Sequence, residues 1–147
     1  MEMKNNIVFG VHEDEQKYIK KIGSYAVIYD NQRSSIALIK NHKGDHFLPG
    51  GGLENDESLE DCIKRECLEE AGLKVSIQKT IGVAKQYFKS PNDYKYYLSE
   101  GHFYMCKQLS KQLPLEKDNN LLWVKPSVAI KMLVHDHHTW AISQLLR

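Results

Sequence analysis

The chain has 147 residues, 41% of them hydrophobic and 27% charged, and these proportions suit one soluble globular domain spanning residues 1–147. Twenty basic residues stand against 19 acidic ones, a net charge of +1 with no long basic run, which gives a general nucleic-acid groove no electrostatic support but leaves room for a small anionic ligand. No stretch of about 18 apolar residues is present to span a membrane, and MEMKNNIVFG lacks the apolar core of a signal peptide.

In chain order, Asn6–Val11 is a short apolar stretch that suits an edge strand. Tyr18–Asp30 is rich in strand formers, and Gly23 within it suggests a bulge. Asp30–Arg33 carries turn residues and Ser35–Ile39 returns, which predicts a hairpin. Gly44 offers a positive φ in the turn Asn41–Asp45, and His46–Leu48 then leads into a loop, Pro49-Gly50-Gly51-Gly52. From Ser58 to Ala71 the apolar residues Leu59, Cys62, Ile63, Cys67 and Ala71 recur at helical spacing. Ser58 is a natural N-cap and Gly72 a C-terminal stop. Val75–Phe88 and Tyr96–Gln108 read as strands around Ser90–Asp93. Leu121–Val124 is a strand broken by Pro126, Ser127–Leu133 a helical turn, and Asp136–Leu146 a closing helix. Strands, helix, strands, helix is the order of an α+β or layered α/β fold with two helices covering a mixed sheet.

The chemistry concentrates in Gly51–Leu73, GGLENDESLEDCIKRECLEEAGL. On a helix, Glu66, Glu69 and Glu70 share one face, opposite the apolar stripe. Like charges at this spacing oppose each other, and they lie near the helix C-terminus, where the dipole disfavours anions. A hard cation such as Mg²⁺ would resolve the conflict, since it takes oxygen ligands from carboxylates and phosphates. The glycine run admits a ligand close to the backbone, and a carbonyl there offers a further metal ligand. Glu57 reaches towards Arg65, a pair that would fasten loop to helix. The cysteines, Cys62, Cys67 and Cys106, are odd in number and lack framework spacing, which favours core packing in a reducing, cytoplasmic setting.

Gly51, Glu57, Arg65, Glu66, Glu69, Glu70, Gly72 and Leu73 match in register the pattern G-x5-E-x7-R-E-U-x-E-E-x-G-U, where U is aliphatic and Cys67 departs at the first U. The chain therefore resembles the Nudix hydrolases, and more closely their small MutT-like branch. That resemblance implies an α/β/α sandwich with a mixed sheet between helices. It implies Mg²⁺- or Mn²⁺-dependent hydrolysis of a nucleoside diphosphate linked to another moiety. By the same resemblance Glu66, Glu69 and Glu70 bind metal, Glu66 also handling the proton of the attacking water. The carbonyl of Gly50 or Gly51 is a further ligand, and Glu57 with Arg65 supports the site.

Outside that stretch several assignments stay open. Family members place another acid in the loop before the last strand, here Glu116 or Asp118. His135-Asp136-His137-His138 reads as a metal pair, as a helix cap by Asp136, or, by resemblance, as a base pocket of Asp136, His137 and His138. Tyr87, Phe88 or Tyr97 is placed to stack on a base, and Lys20, Lys21 or Lys85 to contact phosphates. The expected reaction cleaves a nucleoside triphosphate to the monophosphate and pyrophosphate. The alternatives are cleavage of ADP-ribose, a nucleotide sugar or a dinucleoside polyphosphate, and a nucleotide-binding module without turnover. The expected partner is a small nucleotide, with neither nucleic acid nor membrane; a homodimer is compatible with the resemblance.

Overall fold

The computed structural model describes residues 6–116 and 118–146, so the first five residues of MEMKNNIVFG lie outside it. Among the described residues the strands are β1 (Val8–Phe9), β2 (Tyr18–Tyr29), β3 (Ile36–Lys40), β4 (His46–Phe47), β5 (Gly50–Gly52), β6 (Leu73–Lys89), β7 (Tyr96–Lys111) and β8 (Asn120–Val124). The helices are α1 (Leu59–Glu66), α2 (Pro126–Ala129) and α3 (Asp136–Leu145). The strands form one mixed sheet ordered β1-β6-β7-β2-β3-β4, with β5 against β2 and β8 against β3. β1 runs parallel to β6, and β2 parallel to β7; the other pairs are antiparallel.

The central strands are covered on both faces, which explains their unbroken apolar runs. Ala26, Ile28, Ala37 and Ile39 face Ile63, Cys67 and Ala71 of the first helical segment. Val27, Ile36 and Leu38, alternating with them, face Ala129 of α2 and Ala141 and Ile142 of α3. This is the expected sandwich, with the sheet between α1 and α3. No described helix is long and apolar enough to cross a membrane.

Four expectations change. Gly23 marks no bulge: β2 pairs with β7 in unbroken register from Tyr18 to Tyr29. Its small size is needed for close approach, since a Cβ there would lie 2.4 Å from the carbonyl oxygen of Gly51. The glycine run is no loop, because β2 offers it a partner and Gly50–Gly52 pairs antiparallel with Gly23–Tyr25. The segment Ser58–Ala71 is α-helical only to Glu66; Cys67–Ala71 continues as a wider π turn, closed by Gly72 at φ 67°. Pro126 does not merely end β8: it starts α2 at the first helical position, where its missing N–H costs nothing.

Candidate active site

The site is assembled where β5 meets the end of α1 and the π turn that follows it. Ser58 accepts a hydrogen bond from the Asp61 N–H at 3.0 Å, which fixes the helix start. The Ser24 hydroxyl of β2 donates to the Leu59 carbonyl at 2.7 Å, which ties that start to the sheet. Glu57 and Arg65 meet as a fork: Nε donates to Oε2 at 2.6 Å and Nη2 to Oε1 at 3.0 Å. That bond from Arg65 pulls the Glu57 carboxyl down to about 2. Arg65 also donates to the Gly52 carbonyl at 3.1 Å, to Glu66 at 3.2 Å and to Glu69 at 3.1 Å. One guanidinium thus fixes the loop, the glycine strand and two carboxylates together.

Carboxylate oxygens of Glu66, Glu69 and Glu116 lie within 4.8 Å of one another. The loop before β8 carries Glu116 into this group through its own N–H, which donates to the Glu69 carbonyl at 2.9 Å. Asp118 is not a member of the group. Glu70 stands apart from it. Within the wider turn, its Oε1 accepts the Gly50 N–H at 3.0 Å, and its side chain lines a small cleft with Gly50 and Gly51. Burial pushes Glu66 up to about 7 and Glu70 up to about 8.

These raised carboxyls make a pH prediction for the metal-free protein. Both groups hold a proton more firmly folded than unfolded, where the ordinary value is 4.5. Their stabilising contribution is complete below that value and is lost as pH rises through 7 to 8. The melting temperature in chelator is expected to fall between pH 6.5 and 8. Mg²⁺ should restore it, and Glu70→Gln should flatten the slope. Calorimetry across that range checks this; a melting temperature that rises with pH would contradict it.

A larger cleft of about 520 Å³ opens beside the small one of about 290 Å³, and the two share Tyr25, Asn41, Phe47 and His135. Lys21, Gln86, Phe88, Tyr97 and Ser99 line the larger cleft. Phe88 and Tyr97 stack across neighbouring strands at 5.6 Å, and the Lys21 ammonium lies 5.7 Å from the Tyr97 ring centre. Tyr87, one residue away, is carried to the other face by strand alternation, where it packs with His12 and Tyr18. Lys20 is also outside the cleft, paired with Glu100 at 3.3 Å.

The histidine turn differs from expectation. His135, not Asp136, is the N-cap residue of α3, and its side chain makes no capping bond. The cap comes from β6 instead: the Gln86 side-chain oxygen accepts the His137 N–H at 3.2 Å, a tertiary contact with no local sequence signal. Asp136 is exposed and lines neither cleft. His137 is fully buried, with Nε2 3.2 Å from the Ser99 hydroxyl. His138 is 1% exposed; its Nδ1 accepts the Leu48 N–H at 3.1 Å, and its ring borders the small cleft. His135, absent from the expected base pocket, is the histidine that lines both clefts. Burial draws all three rings down, His135 to about 4 and His137 to about 3, so they are neutral at pH 7.

A family model described as "NUDIX domain" matches residues 20–144. Nudix hydrolase 18, mitochondrial, of Arabidopsis thaliana is 32% identical over 111 residues, 74% of this chain and 60% of that protein. Nudix hydrolase 21, chloroplastic, of the same plant is 32% identical over 99 residues, 66% of this chain and 48% of that protein. Nudix hydrolase 17, mitochondrial, also from Arabidopsis thaliana, is 42% identical over 48 residues, 32% of this chain and 26% of that protein. The chain therefore spans between about a quarter and three-fifths of the length of these curated relatives. Among solved structures, a NUDIX hydrolase from Nitrosomonas europaea superposes with TM-score 0.70 at 17% identity, covering 87% of this chain and 89% of that one. An ADP-ribose pyrophosphatase from Streptococcus suis superposes with TM-score 0.62 at 20% identity, covering 86% and 92%. At these identities the likeness is one of fold.

Proposed function

The chain belongs to the Nudix family, and on that premise we propose that it hydrolyses the pyrophosphate bond of a nucleoside diphosphate linked to a further group. The observation that carries this reading is the convergence of Glu66, Glu69 and Glu116 within 4.8 Å, next to the glycine strand. Three acids so placed repel one another and fit a divalent cation with oxygen ligands. Glu66, Glu69 and Glu116 would hold Mg²⁺ or Mn²⁺, with Glu70 and the carbonyl of Gly50 or Gly51 beside them. The bound ion would offset phosphate charge and acidify a water.

The chain's own groups supply the rest. Glu66, raised to about 7, is suited to take a proton at a carboxylate oxygen near neutral pH. Arg65 holds Glu69 and Glu66 in place through one guanidinium anchored on Glu57. The Gly50 N–H orients Glu70. The Phe88–Tyr97 pair offers a stacking surface for a base in the larger cleft, and Lys21 adds positive charge beside it. A cytoplasmic setting belongs to the same reading, since the three cysteines pack in the interior.

Within this reading the substrate is a nucleoside triphosphate, cleaved as MutT-like members do to the monophosphate and pyrophosphate. A second substrate class is favoured by the presence of two adjoining clefts: ADP-ribose, a nucleotide sugar or a dinucleoside polyphosphate would place a substituent in each. Chromatography of the products from a panel of both classes, with Mg²⁺, separates them. Pyrophosphate from triphosphates supports the first. Turnover confined to two-headed substrates overturns it in favour of the second: ADP-ribose or a nucleotide sugar would give two monophosphates, and a dinucleoside polyphosphate a nucleotide pair that together keeps all its phosphates.

A further inference from the structure

His135 stands at the junction of the two clefts, its ring 4.6 Å from Phe88 and 5.6 Å from Phe47. Among the described residues neither of its ring nitrogens has a hydrogen-bond partner. Neutral at pH 7, the ring offers one donor and one acceptor. Asn41 lines the same junction. Its Oδ1 is taken up by the N–H groups of Lys43 at 3.0 Å and Asp45 at 2.9 Å, which leaves its amide NH₂ to donate. Both side chains are half-buried.

The junction lies between the stacking pair of the larger cleft and the Gly50–Gly51–Glu70 end of the smaller one. In a nucleotide the sugar lies between base and phosphates. A hydroxyl both donates and accepts, so a diol is complementary to a neutral imidazole set beside an amide NH₂. We infer that His135 and Asn41 form a subsite for the vicinal hydroxyls of a ribose, so that this protein favours ribonucleotides over 2′-deoxyribonucleotides. The inference rests on the proposed hydrolase function, and it takes the small cleft, lined by Gly50, Gly51 and Glu70, as the phosphate site and the Phe88–Tyr97 cleft as the base site. A deoxyribose leaves at least one of these polar groups without a partner, which is how a site built on hydrogen bonds rejects an analogue that lacks the hydroxyl.

The test compares kcat/KM for matched ribo and 2′-deoxy forms of each substrate in the wild type, in His135→Phe and in Asn41→Asp. The first variant keeps the ring contacts with Phe88 and Phe47. The second keeps an oxygen for the Lys43 and Asp45 N–H groups and removes the donors. The wild type should favour the ribo form by about 10-fold or more, and both variants should bring that ratio towards one. A wild-type ratio within about twofold, or a ratio that neither variant moves, overturns the inference while leaving the hydrolase reading intact. If no nucleotide is hydrolysed, the hydrolase reading fails, and calorimetric Kd values for the same pairs decide the sugar preference: a tighter ribo form sustains it, and equal Kd values overturn it.

Discussion

Glu66→Gln is expected to lower kcat by about 10³-fold or more while leaving the metal-free fold as stable as before or slightly more so. Glutamine keeps the shape of a side chain that sits against Gly51 and accepts from Arg65 at 3.2 Å. It removes the negative charge that the cluster of Glu66, Glu69 and Glu116 would present to a cation. It also removes the oxygen suited to take a proton near neutral pH. Steady-state kinetics at saturating Mg²⁺, set beside a thermal melt in chelator, separates the two effects. Unchanged turnover with a normal melt would remove Glu66 from the chemistry.

Gly51→Ala is the second large effect, and it tests placement rather than charge. A Cβ on Gly51 would lie 2.4 Å from Glu66 Oε2 and 2.7 Å from its Cδ, too close for both to stay. The atoms it meets are the end of a flexible side chain, so the carboxylate moves and the backbone does not. A catalytic group displaced by about 1 Å costs about 10²-fold in rate, and the expected result is a loss of that order in kcat with a nearly unchanged melting temperature. Gly23 provides the contrast, because a Cβ there meets the Gly51 backbone itself at 2.4 Å. Gly51→Ala enzyme with wild-type kcat would show that the Glu66 position is not set by the glycine strand.

Much of this arrangement could be read from residue order. The stripe of Ile63, Cys67 and Ala71 gave the buried face of the first helical segment, and the spacing of Glu57 and Arg65 gave their pairing. What sequence reasoning missed has physical causes. Over five residues an α turn and a π turn leave nearly the same apolar pattern, so the widening at Cys67–Ala71 was hidden, and with it the bond that Glu70 accepts from the Gly50 N–H. Glycines without side chains carry no strand signal; β2 supplies the pairing that makes Gly50–Gly52 a strand. That Glu116 and not Asp118 joins the carboxylate cluster goes with a long-range contact, the Glu116 N–H on the Glu69 carbonyl. In the histidine turn, the cap comes from Gln86 across 51 positions of sequence, and this sets the phase of α3. That phase buries His137 and exposes Asp136, leaving His135 at the clefts. Tyr87 and Phe88 illustrate the simplest limit: alternation says that one of two neighbours faces the site, but which one depends on the register with β7.

The central claim is that the carboxylates gathered around Gly50–Gly52 make this Nudix chain a metal-dependent hydrolase rather than a nucleotide-binding module. Product formation by the wild type from nucleoside triphosphates and nucleoside diphosphate derivatives, measured with Mg²⁺, after chelation and after Mg²⁺ is added back, tests it most directly. The expected result is turnover that disappears with the chelator and returns with the metal. Tight nucleotide binding with no product in the presence of Mg²⁺ would contradict it.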